Sequence, residues 1–207
     1  IRPDLEIRYT TNGDAPDGRS ALYSTPLTIA GNCNLKAATF NGSEQKGEVL
    51  TLSVHFNIAT AKPATGENIN TRLLTNGLRG SDRHTDGEWC GWYAQDGSFV
   101  ADLGERQKIT RVSLGSLNNF GMGVHPPRYV KLYLSDNGQS YHQVATIQRT
   151  QAQNFAEGTQ AVDIHLDVHP QKGRFLKVEF GNPGKCPANH VRAQQDTWVY
   201  FDELIVE

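Results

Sequence analysis

The sequence predicts an all-β protein built as two successive β-sandwiches. Three observations carry this. Apolar and polar residues alternate with period two over short runs. Asn-Gly and Asp-Gly pairs, such as Asn12-Gly13, Asn41-Gly42, Asp86-Gly87 and Asn137-Gly138, punctuate those runs. No stretch sustains a helical period.

Leu5, Ile7 and Tyr9 alternate with Glu6, Arg8 and Thr10, giving a strand with one buried and one wet face, and Thr11-Asn12-Gly13-Asp14 turns the chain. Further strands are expected at 27–29, at 35–40 before Asn41-Gly42, and at 49–56, where Leu50, Leu52, Val54 and Phe56 share a face. Together they predict a small antiparallel sandwich. Alternation stops after Phe56, and 57–66 has Ile58 as its one large apolar residue, so the domains are placed at 1–57 and 58–207. The second block carries β segments at 99–103, 109–117, 129–135, 141–147, 161–166, 175–180 and 198–206, a spacing suited to a two-sheet sandwich. A hairpin is expected where Val130, Leu132 and Leu134 lead into Ser135-Asp136-Asn137-Gly138, with Asn-Gly supplying a type I′ turn. A helical turn fits within 67–74.

With 207 residues, 37% hydrophobic and 20% charged, the chain can bury a core. No run reaches the roughly 18 apolar residues of a membrane span. The formal charge of -2 provides no basic surplus for a phosphate backbone, which excludes nucleic acid as an expected partner. Cys33, Cys90 and Cys186 are odd in number, so at least one thiol is free or paired outside the chain; Cys90 and Cys186 either meet or stay apart. The chain opens on Ile1 rather than Met, which reads as a piece of something longer, with any signal peptide upstream.

The stretches Ile7-Arg8-Tyr9-Thr10-Thr11-Asn12-Gly13-Asp14-Ala15-Pro16, Leu22-Tyr23-Ser24-Thr25-Pro26-Leu27 and Leu35-Lys36-Ala37-Ala38-Thr39-Phe40 resemble the fibronectin-type-III-like domain that follows the catalytic barrel of chitobiases and β-hexosaminidases. The second block resembles a discoidin, or coagulation-factor C-type, domain close to family 32 carbohydrate-binding modules. The residues that carry this are Leu74-Thr75-Asn76-Gly77-Leu78-Arg79-Gly80 followed by Trp89, then Val100-Ala101-Asp102-Leu103-Gly104, Arg174-Phe175-Leu176-Lys177-Val178, Gly184-Lys185-Cys186-Pro187 and Asp202-Glu203-Leu204-Ile205-Val206-Glu207. The pair looks like the C-terminal end of a bacterial family 20 glycoside hydrolase, whose barrel is not in this chain. The resemblance implies an immunoglobulin- or fibronectin-like sandwich, then a galactose-binding-like jelly roll. It also implies a secreted, periplasmic or cell-surface bacterial location and an upstream catalytic domain as partner.

Adjacent Asp202 and Glu203 invite a catalytic reading, but on a terminal strand neighbours point to opposite faces and do not converge on one glycosidic bond. The resemblance implies instead a structural calcium, with Asn76 and Glu203 as side-chain ligands and carbonyls near Leu74, Arg79 and Thr85 completing an oxygen cage. Asn76 stands where the family more often has Asp, which removes a negative charge. The alternative is that Asn76-Gly77 is only a turn and Glu203 a solvated strand residue.

Sugar binding needs an aromatic face for the apolar side of a pyranose, and donors and acceptors for its hydroxyls, on loops at one end of a sandwich. Three loops supply these types, and the candidates are Arg83, His84, Trp92, Asn118, Asn119, Phe120, His125 and His190. Trp89 and Trp198 are expected to be structural. His165 and His169 are four apart, but Val162, Ile164 and Leu166 alternate as a strand, which favours solvated histidines over a zinc clamp. The expected activity is binding of a terminal N-acetylglucosamine, N-acetylgalactosamine or galactose, without catalysis. The alternative is a pair of structural modules that stabilise the absent barrel.

Overall fold

In the computed structural model, which describes residues 4–68 and 70–207, the chain divides into two compact units, Ile1–Phe56 and Asn57–Glu207. The first contains β1 (Glu6–Thr10), β2 (Ala21–Leu22), β3 (Cys33–Asn41), β4 (Glu44–Gln45) and β5 (Leu50–Val54) in one antiparallel sheet, with β5 and β1 both paired to β3. A second sheet of the expected small sandwich is not found among the described residues. The segment 27–29, expected as a strand, has no regular structure; Pro26 at its start provides no N–H for a ladder. Phe40 and Ala38 are buried on one face, while Ile7 and Leu50, on the opposite face, remain 43% and 57% exposed.

The second unit contains β6 (Ala64–Gly66), β7 (Cys90–Tyr93), β8 (Gly97–Asn119), β9 (Tyr129–Ser135), β10 (His142–Gln148), β11 (Thr159–Gly181) and β12 (Trp198–Val206). The segments expected at 99–103 and 109–117 are one 23-residue strand, as are 161–166 and 175–180. β8 and β11 pair with each other along both halves, with register shifts between Asp167 and Gln171 and between Gly173 and Phe175. The first half of β8 and the second half of β11 continue into β6, β9 and β10, whereas their other halves continue into β12 and β7. One core cluster joins residues of both portions, from Phe99, Val130, Leu132 and Val178 to Val112, Leu114, Ile164 and Leu204. The sheet therefore folds over itself as a sandwich. Arg174 braces the turn-over by a two-pronged contact with Asp102, each N–O distance being 2.8 Å.

The expected hairpin connects β9 to β10, but its turn is not type I′. That turn needs positive φ at two successive residues, and of Asn137 and Gly138 only Gly138 has it, at 72°. Asn137 Oδ1 instead accepts from the amides of Gln139 and Ser140, so its side chain takes over the turn. The helical turn expected within 67–74 is a 3₁₀ turn at Thr71–Thr75. No helix among the described residues is long and apolar enough to cross a membrane.

Trp92, a sugar-binding candidate in the sequence, is a core residue. It lies on β7 opposite Val199, is 2% exposed, and packs edge-on to Phe180 and Phe201 at ring separations of 4.9 and 5.9 Å. The four-residue strand alternates Cys90 and Trp92 inward with Gly91 and Tyr93 outward, which turns the indole away from any ligand. Trp92→Ala is expected to cost about 3–5 kcal/mol in urea-unfolding free energy; a variant as stable as wild type would contradict the core assignment.

Candidate functional site

The far end of the β8–β11 ladder, at Asn119 opposite Thr159, is where three loops meet. Phe120 follows directly, and its amide donates to the Gly158 carbonyl at 3.0 Å, so its ring is fixed to the ladder end. Thr150 and Gln153 form a capping box around the short α1 (Gln151–Asn154), which delivers Phe155. The third loop brings Pro187, Asn189 and His190. Phe120, Phe155, Gln151, Ala152, Glu157, Pro187 and Asn189 line an open cleft of about 310 Å³, large enough for one sugar ring.

Behind the cleft stand two of the predicted histidines, and they are buried rather than displayed. His125 is 0% and His190 4% exposed. The amide of Arg192 donates to His190 Nδ1 at 2.9 Å, so neutral His190 carries its proton on Nε2. That N–H points to His125 Nε2 at 3.1 Å, which leaves the His125 proton on Nδ1, facing Asn118 Oδ1 at 3.3 Å. Asn118, 1% exposed, completes the chain by donating to the carbonyls of Ala156 and Gly158. Burial, reinforced by the neighbouring His190, pushes the His125 ring down to about 4, and burial together with Arg192 also lowers His190. Both rings are neutral at pH 7. Phe120 lies 3.8 Å from His190 and Phe155 4.8 Å from His125, ring centre to ring centre, so the aromatic walls rest on this polar network.

Of the eight predicted sugar residues, the structure gathers Asn118, Asn119, Phe120, His125 and His190 at this end. Only Phe120 lines the cleft; Asn119 Oδ1 caps Met122 and the other three form the buried support. Arg83 is exposed on another loop, where its amide bonds Ser81, and half-buried His84 lies 6.4 Å from the Tyr200 ring. Sequence reasoning missed Phe155, Gln151 and Glu157. Their signal was available: Thr150-x-x-Gln153 marks a helical start, and Phe155 is the one aromatic of a polar run.

Asp202 and Glu203 are both fully buried, which overturns the reading of Glu203 as a solvated strand residue. Register between β12 and β8 jumps from Phe201 opposite Ser116 to Leu204 opposite Leu114, a bulge that turns both acids inward. Asp202 Oδ2 accepts from Arg79 Nε at 2.9 Å and from the Gly80 amide at 2.8 Å. A Cβ on Gly115 would stand 1.8 Å from Asp202 Oδ1, so only glycine lets this pair pack on the sheet. Glu203 has no such cation. Its Oε2 accepts from the Gly77 amide at 3.1 Å, and burial pushes its carboxyl up to about 9. Its Oε1 accepts from Asn57 Nδ2 at 3.5 Å, and the carboxyl is neutral at pH 7, so it could serve a calcium ion only by giving up its proton. Asn76 is turned elsewhere: its Oδ1 accepts from Leu78 N and its Nδ2 donates to Glu88.

His165 and His169 are exposed on β11, as strand residues, and His165 Nδ1 meets Ser113 Oγ at 2.7 Å. All three cysteines are free; Cys90 belongs to the main core and Cys186 lies beside the histidine pair.

Comparison with known proteins gives two family matches. A model described as "F5/8 type C domain" matches residues 58–192, and one described as "Chitobiase/beta-hexosaminidase C-terminal domain" matches residues 1–51. The chain belongs to the F5/8 type C domain family. Among solved structures it is similar to CpGH89CBM32-5 from Clostridium perfringens, in complex with GalNAc-β-1,3-galactose, at 12% identity, covering 70% of this chain and 93% of that one with a TM-score of 0.45. It is also similar to chitosan-binding module 2 from a Paenibacillus chitosanase/glucanase, in complex with chitotriose (14%, 72% and 98%, 0.42), and to the C-terminal domain of a chitobiase from Bacteroides fragilis (15%, 70% and 89%, 0.42). No curated protein matches the chain.

Asn118→Ala removes the acceptor of the His125 N–H and leaves the Ala156 and Gly158 carbonyls without that donor. The expected loss is about 1–3 kcal/mol, with faster exchange of the Phe120 amide that donates to the Gly158 carbonyl; unchanged exchange there would contradict the supporting role.

Proposed function

We propose that the F5/8 type C unit of this chain is a non-catalytic carbohydrate-binding module that seats one terminal sugar between Phe120 and Phe155. The carrying observation is the cleft itself: two aromatic rings, held from behind by a buried polar network, open between Gln151, Glu157 and Asn189. The rings supply apolar faces for the C–H side of a pyranose, and the amide and carboxylate groups supply acceptors and donors for its hydroxyls. N-acetylglucosamine, N-acetylgalactosamine and galactose are the ligands to try. A single shallow contact of this kind gives about millimolar affinity, roughly 4 kcal/mol. Its use is to hold an attached enzyme at its glycan. On this reading the parent is a secreted β-hexosaminidase-like glycoside hydrolase of a bacterium, at the cell surface, in the periplasm or outside, with its catalytic domain upstream.

The first unit supports a second, structural role beside this one. Ile7 and Leu50 lie exposed on one sheet face, a surface suited to packing on the catalytic domain.

Calcium is part of the proposal through Glu203, with carbonyls near Leu74, Arg79 and Thr85; Asn76 joins only by releasing Leu78 N. The ion would displace the proton of the buried Glu203 carboxyl and fix the 76–80 turn.

Two outcomes are expected. Calorimetric titration with the three sugars should show Phe155→Ala and Phe120→Ala each weakening binding about tenfold, the loss of one aromatic contact of about 1–1.5 kcal/mol; unchanged affinity would remove the cleft from consideration. Calcium should raise the melting temperature of wild type, with about 2.7 kcal/mol of stabilisation at 100 times Kd. Asn76→Asp should bind it several-fold tighter and Glu203→Gln not at all, whereas no calcium shift in wild type would exclude the site.

A further inference from the structure

The loops behind the cleft bring together a donor set that does not itself touch the proposed sugar. One ring nitrogen each of His125 and His190 and the Sγ of Cys186 all lie within 4.8 Å of one another, and the three residues are 0%, 4% and 0% exposed. Two imidazoles and a thiolate suit a borderline-soft dication that takes four ligands tetrahedrally. Two nitrogens bound to one zinc at about 2.0–2.1 Å stand roughly 3.3 Å apart; here they are 3.1 Å apart. A bound thiolate sulfur stands roughly 3.5 Å from each nitrogen, so from the 4.8 Å limit Sγ and the rings need to close in by roughly 1.3 Å at most.

The surroundings are those of a ligand set. Asn118 Oδ1 faces His125 Nδ1, which keeps the proton there and turns the Nε2 lone pair inward. Arg192 borders Cys186: a Cβ on Gly123 would meet Arg192 Nε at 3.3 Å and Cys186 Sγ at 3.8 Å. That Nε is buried and has no hydrogen-bond partner. A thiolate at Cys186 places a negative charge beside it, whereas a thiol does not.

We propose that His125, Cys186 and His190 bind a divalent transition metal, zinc foremost, with one coordination position left to solvent. The ion takes the place of the single proton now shared between the two rings. The balance is simple. The Cys186 S–H bond breaks and its proton goes to solvent. The His190 proton leaves Nε2 and Nδ1 takes one up, at the cost of the hydrogen bond from the Arg192 amide. One proton is released in all, and nothing is oxidised or reduced. The role is structural: Phe120 rests on His190 and Phe155 on His125, so the metal locks the two walls of the cleft. The site stands independently of what the cleft binds.

The test uses the full 207-residue chain, dialysed against chelator. Zinc titrated at pH 7.5 should bind one to one at micromolar or tighter Kd, and cobalt(II) should give a thiolate charge-transfer band in the near ultraviolet. Cys186→Ser should abolish that band and weaken zinc at least a hundredfold. His190→Gln should weaken it at least tenfold, and the exposed pair His165→Gln/His169→Gln should change nothing. Absence of stoichiometric binding, or a cobalt complex without the thiolate band, overturns the proposal, as does equal affinity in a folded Cys186→Ser. The wild-type cobalt spectrum decides the matter even where a variant fails to fold.

Discussion

The ladder between β8 and β11 is the constraint on which the second unit depends. It runs from Gly97 opposite Phe180 to Asn119 opposite Thr159, and every other strand of the unit except β7 and β10 pairs directly with one of these two. At the corner, between two register shifts, Gln107 and Lys108 face Gly173 and Lys172, and Ile109, opposite Gln171, is buried in the core. The two halves then bury one core between them. Because the ladder ends at Asn119, Phe120 is presented at a fixed height, and the loops ending in Phe155 and starting from Cys186 close around it.

The cleft is stiff because its support is polar, neutral and mutually oriented. Each ring nitrogen of His125 and His190 has a partner, and the chain of donors runs from the Arg192 amide through both rings to Asn118 and on to the carbonyls of the 156–158 loop. Breaking one link orphans a buried group, which costs more than the bond itself. A pre-formed site of this kind loses little ordering entropy on binding, which matters when a single sugar offers few contacts.

The fold was legible in the sequence wherever burial is one-sided. The alternation at 129–135 maps directly onto β9. It was not legible where a strand runs on through a register shift with no apolar pattern, so Glu105-Arg106-Gln107-Lys108 read as a break and each long strand as two. The burial of Glu203 was not legible because regular alternation does not foresee a bulge that buries two consecutive acids. His125 and His190 were assigned to the right loops but the wrong depth. An imidazole can be buried when each nitrogen finds a partner, and here the partners come from other turns of the chain. Trp92 drew attention as an aromatic in a polar stretch, while Phe155, the aromatic that does face the cleft, was passed over.

The central claim is that the second unit binds a sugar at the Phe120–Phe155 cleft, and amide-resolved NMR titration of the whole chain tests it most directly. On addition of N-acetylglucosamine, N-acetylgalactosamine or galactose, at least one should shift the amides of Phe120, Phe155, Gly158 and Asn189 while leaving the 81–88 loop still. No shift with any of them up to roughly tens of millimolar, or shifts confined to another surface, would contradict the account.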